Sequence, residues 1–594
     1  MDWDLTTYFD RFDGPGYRVF RETLERDLKA LRAELDAAGA IGGGTLANWA
    51  RLIGDYENAY QRASHLRSYV GCLASADAAN EAYAAEEAAL SELSAELSKA
   101  AQALEQALGN ASEEDFAALC AEGELEDATF TLEEMRRDAR LRMSPAEEAL
   151  AQDLAVNGIK AWSRLYFTLA GTLKFSYTTP DGQTHTAPMA KRMSLLTGPD
   201  RAVRKAAFEG ANATWQAHEQ TTAAALNAIG GTRHTLFRRR GVGHFLDEAA
   251  RASRITRPTL EALLGAMETA RPFAREVLRY RQELLGAEEG CFYDLHAPVA
   301  HGDAGELEWG DAAQLVSTSF HAAYPALGEF MDEMLEKRWI DYSPRDNKRP
   351  GGFCTSSALI RESRIFMTFE GTMNEVMTLA HEAGHAWHNR VLRPRRALAA
   401  SYPMTLAESA STFAEMILSS GVLADDRFSA AQKLQIVDAD TDRVLAFLLD
   451  IPMRFRFEEA FYTERAKGVL SPARLRELMV QAQRDSFGET LAEGQEDPWF
   501  WSSKLHFYID GTFFYNYPYS FGYLLSLSLF ARFREEGASF LPAYERLLAD
   551  TGSMNCEEVV QKNLGEDIGD PAFWTRAIAT LEPSFASLKR LTRA

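Results

Sequence analysis

The sequence predicts a mainly α-helical protein that carries two short β elements. Apolar residues recur at helical spacing in the N-terminal third and again from about Leu195 to the C-terminus. Two segments follow strand patterns instead, one at residues 173–187 and one within residues 353–369. The chain has 594 residues, of which 46% are hydrophobic, so it can bury a large core.

The predicted elements of the N-terminal third have recognisable ends. An amphipathic helix is expected from about Tyr17 to Ala38, before a glycine-rich loop, and a second from Asn80 to Leu108. The second stretch is short, so we expect antiparallel helix packing within a globular lobe rather than a coiled coil. Residues 173–187 alternate around a Pro-Asp-Gly turn, which predicts a β-hairpin near a lobe boundary.

Composition limits the classes of partner. Lys and Arg number 63 against 86 Asp and Glu, and a net charge of −23 argues against nucleic acid and anionic membranes as partners. Five scattered cysteines without a CxxC pair are typical of a reduced, cytoplasmic protein. We find no signal-peptide pattern and no apolar run near the ~20 residues that span a bilayer. The oligomeric state stays open.

Residues 381–385, His-Glu-Ala-Gly-His, form an HExxH sequence within a strongly helical stretch. Two histidines four residues apart project from one helix face, so both imidazoles can bind one metal ion. Glu382 can then act as the base for a water molecule that the ion activates. Thr372 and Glu375 fit a capping box at the start of this helix, and Pro394 marks its end.

A catalytic zinc site needs a third protein ligand besides His381 and His385. Glu408 and Glu415, seven residues apart, share a face of the next predicted helix, whose small residues allow close packing. Glu408 is the candidate ligand, and Glu415 is the candidate for holding a histidine ring in place. Glu408 also fits a capping box that starts at Thr405, so this alternative stays open.

His388 and Gly384 of the HExxH helix are not assigned to the metal site. His388 lies roughly 10 Å along the helix from His381, and we expect a packed histidine rather than a ligand. Gly384 suits a helix that another backbone or a substrate approaches closely, although a merely tolerated glycine is the alternative.

These residues resemble the thimet-type oligopeptidase family, and within it most closely oligoendopeptidase F. The resemblance covers most of the chain and is specific in combination, although it is weak near the N-terminus. Its motifs are Trp3–Thr6, Tyr293–Leu295, Lys348–Ser356, Thr378–His388, Glu408–Glu415, His506–Tyr508 and Phe514–Gly522.

The resemblance implies two mostly helical lobes around a deep channel, with one Zn²⁺ per chain at its floor. We accordingly divide the chain into an N-terminal helical lobe, residues 1–195, and a catalytic metallopeptidase domain, residues 196–594. The short sheet before the zinc helix would bind substrate as an added strand. A channel would admit short unfolded peptides and exclude folded proteins. Zinc is preferred over manganese or cobalt for this ligand set.

The resemblance also implies that a tyrosine-rich loop stabilises the oxyanion that forms when a carbonyl is attacked. Our candidates are Tyr517 first, His506 second, then Tyr508 and Tyr515. We expect Tyr519 and Tyr523, by contrast, to be core residues.

The sequence is compatible with three functions. The first is a zinc-dependent oligoendopeptidase that cuts internal bonds of short peptides. The second is a helical zinc carboxypeptidase of the HExxH type, which would also need a group that binds the terminal carboxylate. The third is an inert helical scaffold that binds peptides, against which stands Glu382, because a structural zinc needs no base.

Overall fold

The computed structural model describes residues 1–123, 125–299 and 305–593, and it confirms a mainly helical protein with small sheets. In this part of the chain the helices are α1 Pro15–Ala37, α2 Leu46–Ala76, α3 Glu81–Asn110, α4 Glu113–Cys120, α5 Thr129–Arg140, α6 Pro145–Asn157, α7 Ile159–Thr172, α8 Arg192–Leu196, α9 Arg201–Arg239, α10 Phe245–Ala252, α11 Arg257–Leu284, α12 Trp309–Ala323, α13 Pro325–Glu336, α14 Met373–Leu392, α15 Met404–Ala424, α16 Ala430–Leu445, α17 Ile451–Arg465, α18 Pro472–Phe487, α19 Phe500–Ser503, α20 Tyr517–Glu536, α21 Leu541–Asp550, α22 Cys556–Leu564, α23 Pro571–Ala579 and α24 Glu582–Leu591. The strands are β1 Lys174–Thr178, β2 Thr184–Pro188, β3 Ile340–Asp341, β4 Phe353–Ser357 and β5 Glu362–Phe366.

The chain folds into two compact units, each assembled from three segments. The first unit consists of Met1–Leu141, Gly305–Phe428 and Leu529–Glu566. The second unit consists of Arg142–Ala304, Ser429–Ser528 and Asp567–Ala594. Both units take residues from either side of position 195, and the division of the sequence into 1–195 and 196–594 stays a prediction.

The first unit contains α1–α5, α12–α15, the C-terminal half of α20, α21, α22 and the three-stranded sheet. Buried apolar side chains of α1–α5, together with Trp3 and Leu5 near the N-terminus, form one continuous core that reaches Phe366 of β5. In the sheet the strand order is β3-β5-β4, with β4 antiparallel and β3 parallel to β5. β4 is therefore an edge strand, and the sheet predicted just before the HExxH helix is confirmed.

The second unit contains α6–α11, α16–α19, the start of α20, α23, α24 and a β-hairpin. β1 pairs antiparallel with β2, Lys174 opposite Pro188 and Thr178 opposite Thr184, as the alternating pattern predicts. Between α16 and α17 lies one π-helical turn, Ala446–Asp450. Such turns occur frequently at functional sites.

The observed helix ends agree with the sequence signals. α1 and α3 start and end within a few residues of the predicted positions. All five cysteines are free, and four of them are buried. A search of the described helices finds none with the length and apolar character that a membrane span requires.

Candidate metal centre

The HExxH helix, α14, begins at the predicted capping box. The Thr372 side chain accepts a hydrogen bond from the Glu375 N–H at 3.3 Å, and Glu375 accepts one from the Thr372 N–H at 3.0 Å. From this start, helical spacing places His381 and His385 on one face, with their ring centroids 4.8 Å apart. Their Nε2 atoms lie only 3.2 Å apart, so both nitrogens face the same point.

Helix α15 packs directly against this part of α14, and Gly384 permits the approach. A Cβ atom at residue 384 would lie 2.5 Å from both Ala410 O and Ser411 Cα, closer than real Cβ contacts allow. The small side chains of α15 and the missing side chain of Gly384 therefore let the two backbones touch. This contact excludes the alternative interpretation, in which Gly384 is a glycine that the helix merely tolerates.

The close packing brings Glu408 of α15 to the two histidines. Its Oε2 atom lies 3.4 Å from His381 Nε2 and 3.6 Å from His385 Nε2. The competing capping-box interpretation is wrong, because α15 starts at Met404 with no side-chain cap and Thr405 lies inside the helix. Glu408 is thus free of a capping role and instead accepts a hydrogen bond from Ser411 Oγ at 2.5 Å.

The three donor atoms fit a zinc ion. They all lie within 4.8 Å of one another. Ligands at 2.0–2.1 Å from a tetrahedral ion lie about 3.3 Å apart, and the observed separations are 3.2, 3.4 and 3.6 Å. Two imidazole nitrogens with one carboxylate oxygen form a ligand set of catalytic zinc sites, which keep a fourth position open for water.

Glu415 lies seven residues after Glu408, about two turns further along α15, and fixes the orientation of the His381 ring. Its carboxylate accepts a hydrogen bond from His381 Nδ1 at 2.6 Å, which directs the Nε2 lone pair of His381 to the ligand site. Burial lowers the pKa of His381, but the hydrogen bond and negative charge of Glu415 outweigh it and raise the pKa of the metal-free ring to about 9, so a bound metal ion would have to displace the Nε2 proton. At His385, which has no such partner, burial and the neighbouring His381 lower the pKa to about 4.

His388, the rival ligand, packs inside the protein. It is fully buried, its Nε2 atom lies 2.9 Å from Thr551 Oγ1, and its ring stacks on Tyr402 at 4.2 Å between centroids. Burial lowers its pKa to about 3. The structure therefore places His388 among the packed residues, as predicted.

Glu382 lies in an environment unlike that of an ordinary, solvent-exposed carboxylate. Its side chain is buried, and its Oε2 atom has no hydrogen-bond partner within the described residues. Burial raises the pKa of Glu382 to about 7. A Cβ built on Gly352, next to the start of β4, would lie 3.6 Å from Glu382 Oε1. The carboxylate therefore lies beside the end of an edge strand.

The tyrosine-rich loop belongs to the second unit, and two of its predicted site residues are buried. Tyr517 is 1% exposed, and its hydroxyl lies 2.8 Å from Ala249 O and 2.7 Å from Ser253 Oγ. Tyr508 is fully buried and stacks on Tyr166 at 3.5 Å between ring centroids. These contacts disfavour the predicted roles of Tyr517 and Tyr508, because neither hydroxyl is presented to a substrate.

Three other residues of the loop form a partly exposed cluster. The rings of His506 and Tyr515 lie 4.9 Å apart, and the hydroxyls of Tyr515 and Tyr519 lie 3.3 Å apart. The prediction of Tyr519 as a core residue is wrong, whereas Tyr523 is buried against Phe447 as expected. Tyr515 and Tyr519 are four residues apart in the sequence, and this spacing could have predicted that their side chains lie close together.

The His506 ring has a defined tautomer. Asn516 Oδ1 lies 2.6 Å from His506 Nδ1 and 3.0 Å from Arg454 Nη1, so it accepts both hydrogen bonds. Burial, with the nearby charge of Lys504, lowers the pKa of His506 to about 4. A neutral ring that donates through Nδ1 presents Nε2 as an acceptor. This disfavours the prediction that His506 donates to an oxyanion.

Comparison with known proteins agrees with this site. The description Peptidase family M3 matches residues 194–580, and the description Oligopeptidase F matches residues 107–175. Oligopeptidase PepF of Bacillus subtilis is 24% identical over 451 residues, which cover 75% of this chain but 66% of that protein, slightly under two thirds of it.

Two solved structures share the fold. A Chlamydophila abortus protein assigned to the peptidases has a TM-score of 0.84 at 21% identity, covering 99% of this chain and 98% of that one. Oligoendopeptidase-F of Enterococcus faecium has a TM-score of 0.69 at 20% identity, covering 97% and 99%. The family match extends over more than half of the sequence, and the chain therefore belongs to peptidase family M3.

Proposed function

We propose that the chain is a zinc-dependent oligoendopeptidase that hydrolyses internal bonds of short, unfolded peptides. The observation that carries the proposal is that three donor atoms, from His381, His385 and Glu408, converge on one point. Glu382, whose carboxylate is buried, is the next residue after His381 in the chain. Membership of peptidase family M3 and the relatives named oligopeptidase or oligoendopeptidase F support it. The five free cysteines support the proposed cytoplasmic location.

In this proposal His381, His385 and Glu408 would hold the zinc ion, and Glu415 would orient His381. When bound, zinc polarises the scissile carbonyl and makes a water molecule more acidic. Glu382 accepts a proton from the attacking water at its carboxylate and later donates it to the leaving amine. The side chain of Glu382 is adjacent to the donor set and is not itself one of the three donors, so its carboxylate is available for both proton transfers.

β4 is the proposed docking edge for the peptide. An extended peptide can add to an exposed sheet edge through main-chain hydrogen bonds, which bind many sequences alike. The start of β4 adjoins Glu382, so a peptide that lies along this edge would pass the base. Such binding requires an extended chain, and this favours short or unfolded substrates over folded ones.

We assign the proposed oxyanion donor to Tyr515. Tyr519 donates to Tyr515 across the 3.3 Å separation, which leaves the Tyr515 hydroxyl proton available for a further acceptor. His506, with Nε2 as an acceptor, is suited to a peptide N–H group.

The test is cleavage of a short internally quenched peptide that is blocked at both ends, before and after chelation and zinc add-back. The proposal expects internal cleavage that chelation stops and zinc restores. Trimming of an unblocked peptide without cleavage of the blocked one would instead indicate the carboxypeptidase. No cleavage of either, with zinc bound, would indicate the inert scaffold. A folded protein cut as fast as the peptide would contradict the limit to unfolded substrates.

A further inference from the structure

A cavity of about 1000 Å³ lies in the first unit, outside the metal centre. Its walls come from α2, the turn between β4 and β5, the C-terminal end of α14 and the segment after it. The lining is mostly polar and includes Ser356, Ser357 and Asn389. A space of this size could contain several residues' worth of peptide side chains.

Two arginines of this cavity have no ionic partner. The side chains of Arg361 and Arg393 make neither a hydrogen bond nor a salt bridge within the part of the chain that the structure describes, and Arg393 Nη2 is buried without a partner. Arg395 and Arg396, which line the same cavity, are instead paired with Asp550 and Glu57. Charged groups in partly buried positions are ordinarily paired, so the partly buried Arg393 is an exception, whereas Arg361 is exposed to solvent.

The two unpaired cations lie close enough to influence each other. Burial lowers the pKa of Arg393 to about 10. The positive charges of Arg390 and Arg361 add to that shift, and the negative charges of Glu333 and Glu362 oppose it. Glu333 and Glu362 form salt bridges with Lys337 and Arg364 rather than with Arg393. The two guanidinium groups therefore still repel each other, and one carboxylate between them would remove the repulsion. Arg361 also adopts a left-handed backbone conformation, with φ at 55°, in the turn that carries its side chain.

The position of the cavity connects it to the metal centre. Gly352 adjoins Glu382, whereas Ser356 and Ser357, at the other end of β4, line the cavity. Four residues of strand advance about 13 Å. Arg393, the residue that follows α14, lies eight residues after His385, a rise of about 12 Å along the helix axis. β4 and α14 therefore run side by side from the metal centre to the cavity.

We propose that this cavity binds a carboxylate of the peptide substrate, about four residues from the bond that is cut, through Arg361 and Arg393. The inference rests on the proposed peptidase function and adds a substrate class to it: peptides with an acidic side chain or a terminal carboxylate at that distance. An acidic protein of net charge −23 repels such peptides in general, so binding them requires local cations that form no salt bridge within the protein.

Four acidic residues also line the cavity. Glu57 and Glu362 are paired with Arg396 and Arg364, and Glu126 and Asp127 supply the remaining opposing charge. Both are exposed residues of the short turn Leu125–Ala128. They would weaken the binding of an anion without removing it, because exposed charges are screened by solvent and salt more than partly buried ones. Neutralising these two acids should therefore strengthen the preference for acidic peptides.

The experiment measures kcat/KM on blocked, internally quenched peptides of uncharged sequence. A single Glu is placed at successive positions on either side of the cleaved bond, and each peptide is matched with one carrying Gln. We expect a ratio of about ten for Glu over Gln near the fourth position, from one charge-assisted contact. A second pair, with a free or amidated C-terminus at the same distance, distinguishes the terminal carboxylate from the side chain.

The variants assign the effect to the cavity. In Arg361→Gln with Arg393→Gln the ratio should fall to about one, and in Glu126→Gln with Asp127→Asn it should rise. Arg534→Gln, an exposed arginine of the same unit outside the cavity, should keep the wild-type ratio. Circular dichroism and zinc content, measured on each variant, show whether fold and metal centre are intact. If the double Arg variant fails to fold, Arg361→Gln alone is used, since this side chain is exposed.

The outcomes separate this inference from the proposed function. Cleavage with a ratio near one at every position would overturn the carboxylate site and leave the peptidase proposal intact. If no peptide is cut, the dissociation constants of the Glu and Gln peptides are measured instead. Tighter binding of the Glu peptides that is lost without Arg361 and Arg393 would support the carboxylate site but not the peptidase proposal. Absence of both cleavage and such binding would overturn both proposals.

Discussion

The metal centre of the first unit and the tyrosine-rich loop of the second unit hold their side chains in different ways. At the metal centre two long helices touch through Gly384, and each candidate residue projects from a regular backbone. In the loop, His506 and Tyr515 precede α20, and Asn516 orients the cluster by accepting hydrogen bonds from Arg454 and His506. Packed helices hold a geometry more rigidly than a loop held by side-chain hydrogen bonds, so we expect chemistry to tolerate fewer changes at the metal centre.

The largest effect is expected for Glu382→Gln. Gln keeps the size of the side chain but cannot accept the proton of the attacking water, so kcat should fall by about 10²–10⁴. Zinc content, measured by elemental analysis of the purified variant, should equal that of the wild type, because Glu382 is not among the three donors. Near-normal turnover with zinc bound would contradict the proposed base.

The loop gives the next effect, with Tyr515→Phe and Tyr517→Phe as a matched pair. Loss of the Tyr515 hydroxyl should lower kcat by about 10²–10³, the usual effect of removing one oxyanion donor. Tyr517→Phe removes buried hydrogen bonds to Ala249 and Ser253 and should instead cost about 1 kcal/mol in the free energy of unfolding. Equal kcat values in both variants would remove Tyr515 from the mechanism.

The contrast between the metal centre and the tyrosine-rich loop also explains which features the sequence could predict. HExxH spacing and the spacing of seven between Glu408 and Glu415 are local signals, because helix geometry alone converts them into shared faces. Burial of Tyr517 depends on Ala249 and Ser253, more than 260 positions away, and no local pattern carries that contact. Capping boxes and turn residues likewise predicted α14 and the β1–β2 hairpin, whereas the interleaving of the two units follows from long-range packing.

Glu415→Gln tests how far the rigidity of the metal centre depends on the contact behind the ligands. The 2.6 Å hydrogen bond to His381 Nδ1 would lose its charge, and the affinity for zinc should fall about 10–100-fold. Competition with a chelator of known affinity measures the change. Unchanged affinity would show that helix packing alone orients His381.

Gly384→Ala tests the helix contact itself. The new Cβ would meet Ala410 O and Ser411 Cα at 2.5 Å, so α14 and α15 must separate, at a cost of about 1–3 kcal/mol in the free energy of unfolding. Gly71→Ala, in a helix of the same unit with nothing within 4 Å of the added Cβ, is the control and should stabilise by up to about 1 kcal/mol. Denaturant unfolding followed by circular dichroism measures both, and equal shifts in the two variants would contradict the close contact.

The smallest effect concerns a buried acid behind the loop. Glu458 accepts a hydrogen bond from the Phe514 N–H at 2.8 Å, and burial raises its pKa from 4.5 to about 7. Between these values the folded chain keeps a proton that the unfolded chain releases, so this residue's contribution to stability is full below pH 4.5 and is lost as the pH rises to about 7. Glu458→Gln should remove that loss and gain about 1–2 kcal/mol over wild type between about pH 5.5 and pH 6, at about 1.4 kcal/mol for each pH unit above 4.5. Glu459→Gln, at the next and less buried position, should show no such gain, and parallel stability profiles for wild type and Glu458→Gln would mean that Glu458 is charged in the fold.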